Sequence, residues 1–198
     1  MNKKHFQLLC CGLVSAILLN ACATIIGGDE STAEASGNRM GPATIASGDT
    51  ALQNDKFSAL TVLGQFNGNK LVIAHDLRIE SNAYLTKVTV RGNTAIKGNL
   101  SCLKADFQNG IMVGGNITAQ DSEFESGIRF NGRQLELTDS SKVYGAIINT
   151  NPTTPGLIII NHSKVRGNIE FAAPNSQVIL RNKGSFKGEI VNGVVRQE

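Results

Sequence analysis

The chain has 198 residues, 41% of them hydrophobic and 18% charged, which is enough apolar material for one core and too little charge for a wholly disordered chain. Glycine is frequent at 21, proline scarce at 4, aromatic residues make up 5% and tryptophan is absent, a balance that excludes collagen, a coiled coil and a Leu/Glu/Lys-rich helical bundle. The formal charge of +3 is too small to argue for a nucleic-acid partner.

Residues 1–21 begin with Lys3 and Lys4 and run into a mostly apolar stretch from Leu8 to Leu19. That stretch is shorter than the about 20 residues a spanning helix needs, and its layout is that of an export signal. It ends in Leu19-Asn20-Ala21-Cys22. This ending resembles the lipobox of bacterial lipoproteins, with an apolar residue three before an obligatory Cys and a small residue just before it. The resemblance implies cleavage ahead of Cys22, a diacylglyceryl group on its sulfur and a further acyl chain on its freed amine. Each buried CH₂ then adds about 0.8 kcal/mol to membrane anchoring. Asn20 departs from the commonest small residues at its position. Ala23 rather than Asp after the Cys implies, by the same resemblance, the outer membrane. The alternative is an ordinary export signal cleaved near Ala23.

Removing the signal removes Lys3 and Lys4 and no acid, leaving 17 cations against 16 acids. Net attraction to nucleic acid or anionic lipid loses its footing. Cys10 and Cys11 leave with the signal and Cys22 is the lipid-attachment residue, so Cys102 remains as the sole thiol and no intramolecular disulfide is expected. Its apolar neighbours in GNLSCLKADF predict a buried, structural cysteine.

Residues 22–57 are rich in Ala, Gly, Ser, Thr and Asp with no sustained apolar period. They are expected to form a flexible tether behind the lipidated Cys, and the folded domain to occupy 58–198.

That domain repeats itself loosely. The unit is apolar-x-Gly-x-apolar, seen at Val62–Phe66, Ile96–Leu100, Val113–Ile117, Val143–Ile147, Val165–Ile169 and Phe186–Ile190. The apolar period is two, which is β and not helix. Successive central glycines are 17 residues apart from Gly98 to Gly115, 30 to Gly145, then 22 and 21. The long interval is expected to hide a degenerate turn near Phe124–Gly132. Circuits of about this length fit a parallel β-helix, whose neighbouring coils stack about 4.8 Å apart. A sixfold beat (Val90, Ile96, Cys102) would instead suit a left-handed hexapeptide helix. It fails at Glu123, so a right-handed parallel β-helix is predicted, with a β-sandwich or jelly roll as the alternative. The glycine-punctuated aliphatic coils over about 85–195 resemble the bactofilins, bacterial polymer-forming β-helical proteins. The lipobox and the irregular spacing depart from that family.

Three groups of residues invite a chemical reading. Asp121, Glu123 and Glu125 alternate and would share one face of a strand, where they would bind Ca²⁺ or act as paired carboxylates, or simply form a solvated face. Arg91, Lys97, Arg166 and Lys187 occupy the position between the apolar residue and the glycine, with Tyr144 in the same place. Stacked in register they would form a basic stripe for an anionic envelope polymer, or serve solubility alone. His75 and His162 have no nucleophile motif beside them, and no phosphate loop or metal-spaced cluster is present. No cofactor and no catalysis are expected.

The function predicted is therefore that of a lipid-anchored structural or interaction protein of the cell envelope, self-assembling or part of an envelope complex. A polysaccharide-binding module is the alternative, and a polysaccharide lyase or hydrolase a more distant one.

Overall fold

The computed structural model describes residues 24–27, 38–39 and 43–198. The chain forms a parallel β-solenoid of about nine coils, with no helix among the described residues. Each coil contributes one short strand to each of three sheets, visited in the order I, II, III. One coil, for example, supplies β12 (Thr94–Ile96) to sheet I, β13 (Leu100–Leu103) to sheet II and β14 (Asp106–Phe107) to sheet III. Its successor supplies β15 (Ile111–Val113), β16 (Ile117–Gln120) and β17 (Glu123–Phe124). Every pairing is parallel and joins consecutive coils. A sandwich or jelly roll, whose sheets are antiparallel, is thereby excluded.

The coil length is 17 through the middle of the stack, where Leu60, Leu77, Thr94, Ile111 and Ile128 lie in register. It then grows to 19, 22 and 21, as Ile128, Ile147, Ile169 and Ile190 follow one another. Much of the excess leaves the body between β21 (Ile147–Asn149) and β22 (Leu157–Asn161). There Asn151 folds the excursion back, its Oδ1 accepting from the Thr153 hydroxyl and the Thr153 and Thr154 amides.

Alternation along each strand fills the interior with columns of like residues. Sheet III sends in Phe57, Ile73, Val90, Phe107, Phe124, Val143 and Val165, all essentially inaccessible. The rings of Phe107 and Phe124 stack at 5.1 Å with 14° between planes. The Cys102 side chain lies in a sheet II column between Leu85 and Ala119 and is buried, as its neighbours predict.

The corners explain the glycines. At the bend from sheet I to sheet II, Asn82 Oδ1 accepts from the Asn99 amide, Asn99 Oδ1 from the Asn116 amide and Asn116 Oδ1 from the Arg133 amide, at 2.8–2.9 Å. A Cβ on Gly115 would lie 2.4 Å from Asn99 Oδ1. At the bend from sheet III to sheet I, a Cβ on Gly145 would lie 1.0 Å from the Ser126 carbonyl oxygen. The repeated motif therefore spans a corner instead of lying on one strand. It also occurs at two different corners: Gly64, Gly98, Gly115 and Gly132 belong to the first, Gly92, Gly145, Gly167 and Gly188 to the second. The interval of 30 arises from stepping between them, and Gly132 is the true successor of Gly115. The third bend, from sheet II to sheet III, uses left-handed residues with side chains, Asn54, Lys70, Lys87, Lys104 and Asp121, at φ of 47–56°.

The stack starts earlier than residue 58. β3 (Thr44–Ser47), β4 (Thr50–Gln53) and β5 (Lys56–Phe57) make a coil of their own, correcting the expected tether over that stretch. β1 (Thr24–Gly27) and β2 (Asn38–Arg39) pair onto β3 and β5. The signal segment, Cys22 and the rest of the tether lie outside the described residues.

Gly145→Ala is expected to destabilise by about 3 kcal/mol or more, because the obstruction is backbone with no rotamer to yield. Asn99→Ala, which loses two cross-coil hydrogen bonds, one accepted from the Asn116 amide and one donated to Asn82 Oδ1, should cost about 1–2 kcal/mol. Denaturant midpoints of the two variants check both values and their order.

Candidate functional site

Because coils stack in register, outward residues form columns too. On the sheet III side each coil presents three such positions: the left-handed corner residue, the outward strand residue and the residue beginning the next bend. In the coils through Lys87 and Lys104 these are Lys87, Thr89 and Arg91, then Lys104, Asp106 and Gln108. The following coil is wholly acidic, with Asp121, Glu123 and Glu125. The last three coils carry Ser140, Lys142 and Tyr144, then His162, Lys164 and Arg166, then Lys183, Ser185 and Lys187. Five cations thus fall on these nine outward positions, and the one acid at their corners, the left-handed Asp139, accepts from the Gln120 side-chain amide.

The acidic row is compensated from both sides. Lys104 Nζ lies 3.9 Å from Asp121 Oδ2 and Lys142 Nζ 3.6 Å from Glu123 Oε1. Asp121 sits in the left-handed bend, so only Glu123 is on the two-residue strand β17. Glu123 also accepts from the Tyr144 hydroxyl, and this hydrogen bond holds the phenol above its usual range. No group of three or more potential metal ligands occurs among the described residues.

The predicted basic stripe is divided. Arg166 and Lys187 are directly paired neighbours, and the Arg166 guanidinium stands 5.9 Å over the Tyr144 ring. Arg91 is in the same column but separated from them by Gln108, Glu125 and Tyr144. Lys97 is on another edge, after β12 on sheet I, where it pairs with Glu80. Arg78 Nε donates to the same carboxylate at 2.5 Å, and the two cations hold Glu80 below the usual carboxylate range. Sequence reading missed Lys142 and Lys164, which stand two residues before Tyr144 and Arg166 and so share their face by the period of two. It also missed Lys183.

The basic face is indented. Lys142, Tyr144, Lys164 and Arg166 surround a hollow of 210 Å³, and Lys142, His162, Lys164 and Lys183 surround another of 440 Å³. A hollow of 730 Å³ outside sheet I, beside Ala95, Met112 and Arg129, differs in that the Glu80 carboxylate there pairs with both Arg78 and Lys97. His75 is exposed at the bend from sheet III to sheet I and His162 at the opposite corner, so the two do not meet.

The second feature is the final coil, made by β26 (Ser185–Lys187), β27 (Ile190–Val191) and β28 (Gly193–Gln197). The C-terminal GVVRQE is thus strand rather than a cap. Phe186, Ile190 and Val195 continue the columns of Val165, Ile169 and Val178. Those three predecessors are at most 1% exposed, whereas Val195 is 46% exposed and Phe186 and Ile190 are only partly buried. No strand covers the far edges of these three among the described residues.

No known protein family matches the chain, and no curated protein or solved structure matches it.

Burial pushes the Cys102 thiol up to about 12, so almost no thiolate is present at neutral pH. Cys102 should resist maleimide at pH 8 in the folded protein and react once guanidinium unfolds it, as read by peptide mass spectrometry.

Proposed function

We propose that the protein is a lipid-anchored structural element of a bacterial cell envelope that assembles through its C-terminal coil, with a second copy or with another subunit of an envelope complex. The last described coil, whose outer edges no strand covers among the described residues, carries this reading. An edge strand with free N–H and C=O groups is a template for further pairing unless it is covered, charged or bulged, and here three edges surround the exposed Val195 and the half-buried Phe186 and Ile190. Full burial of such a side chain from water is worth roughly 1.5–3 kcal/mol, and occluding the part of each that is still accessible would gain a fraction of that. The likeness of the coil grammar to bactofilins supports the same reading. The lipobox ending at Cys22 supports a membrane anchor at the other end of the chain, and Ala23 an outer-membrane address.

Full-length protein in mild detergent is expected to sediment as species larger than the monomer at micromolar concentration. Ile190→Lys with Val195→Lys should return it to the monomer while its far-ultraviolet circular dichroism stays β-type. A wild-type protein that is monomeric at every concentration, alone and in native membrane extracts, would overturn the proposal. Independently, Cys22→Ser should abolish incorporation of a labelled fatty acid.

A further inference from the structure

The basic face of the last three coils points to a ligand class. In β20 (Lys142–Val143), β23 (Lys164–Arg166) and β26, Lys142 lies opposite Lys164 and Arg166 opposite Lys187. Neighbouring coils are about 4.8 Å apart, and like charges directly opposite on adjacent strands destabilise a sheet. Only Lys142 has a carboxylate within ion-pair distance among the described residues; Lys164, Arg166, Lys183 and Lys187 have none. Both hollows of this face have Lys142 and Lys164 in their walls, so the repulsion is concentrated where a ligand has room to sit.

We propose that this face binds a phosphate-bearing anion, with Lys164 and Arg166 at its centre and Lys142, Lys183 and Lys187 around them. A carboxylate brings one charge and leaves one member of each cation pair uncompensated. A phosphate monoester brings about −1.5 to −2 at pH 7 and spans two ammonium groups one coil apart. Arg166 adds a planar fork that matches two phosphate oxygens at once. Two cation pairs side by side suit a ligand with more than one phosphate, whether a soluble phosphorylated glycan or a lipid headgroup. The inference is independent of assembly through the last coil.

The test is calorimetric titration of full-length protein in neutral detergent micelles with sodium tripolyphosphate, repeated with micelles doped with phosphatidic acid and with polygalacturonate as a carboxylate polymer. Lys164→Gln with Arg166→Gln should weaken tripolyphosphate binding at least tenfold. Lys70→Gln with Lys87→Gln, which removes two charges elsewhere on the same side of the solenoid, should change it less than twofold. All four side chains point outward, and circular dichroism verifies that both variants fold. Tighter binding of tripolyphosphate than of phosphatidic acid assigns a soluble ligand and the reverse a headgroup; either supports the proposal. It is overturned if the two double variants lose affinity equally, if polygalacturonate binds as tightly as tripolyphosphate, or if nothing binds. It is overturned as well if the face proves to hold the acidic coil of a second copy, seen as a dimer that the Lys164/Arg166 variant dissociates and tripolyphosphate does not.

Discussion

Each circuit of the chain must return to the same place in projection, so that the N–H and C=O groups of one coil meet those of the next. Strands of two to six residues would not persist alone; they exist because both neighbours satisfy their backbone groups, and a buried group left unsatisfied costs about 1–3 kcal/mol. A shift of one residue in any coil would turn its apolar side chains outward. The pairing therefore allows extra residues only at bends, which is where the coils of 19, 22 and 21 residues depart from 17. Through every change of length the inward column Phe124, Val143, Val165 and Phe186 is unbroken.

The same constraint separates the three corners. Where the bend from sheet III to sheet I presses one coil against the carbonyls of the one before, a Cβ has no space, and Gly145, Gly167 and Gly188 succeed one another. Where sheet II turns into sheet III the backbone is left-handed but faces open solvent, so Lys70, Lys87 and Lys104 are accommodated at about 1–2 kcal/mol each. Glycine would relieve both that strain and the repulsion between stacked ammonium groups. The fold alone therefore does not explain lysine at these three positions.

Much of this was legible in the residues. The beat of 17 shows in Lys70, Lys87 and Lys104 as plainly as in the glycines, and the apolar period of two gives the strands. What misled was a local motif serving two corners: Lys97 and Arg166 have the same flanking pattern yet sit on different edges. Only the register, which is a long-range property, tells them apart. The first described full coil reads as a tether because its inward residues include Thr44 and Ala46, and Leu52 and Phe57 are too few to show a period. The basic face went unread because Lys142 and Lys164 stand just outside the motif, one residue before it, and lie in coils whose lengthened bends hide the spacing.

Those lengthened coils are also where the surface changes most. The bends at Asp139-Ser140 and Asn182-Lys183 use two left-handed residues in succession where the coils of 17 use one, which changes the corner without touching the core. Outward positions in a solenoid are constrained only by their neighbours above and below, so a run of cations there is not forced by packing. It raises the energy of the folded state through like-charge opposition, and the charged residues needed to relieve it exist in the same chain: the acidic row of Asp121, Glu123 and Glu125 is one coil away. The acids are spent instead on Lys104 and Lys142 at the margins. The segregation concentrates positive charge on the outward face of the last three described coils, where Lys142 faces Lys164 and Arg166 faces Lys187, and nothing in the packing of the core requires it.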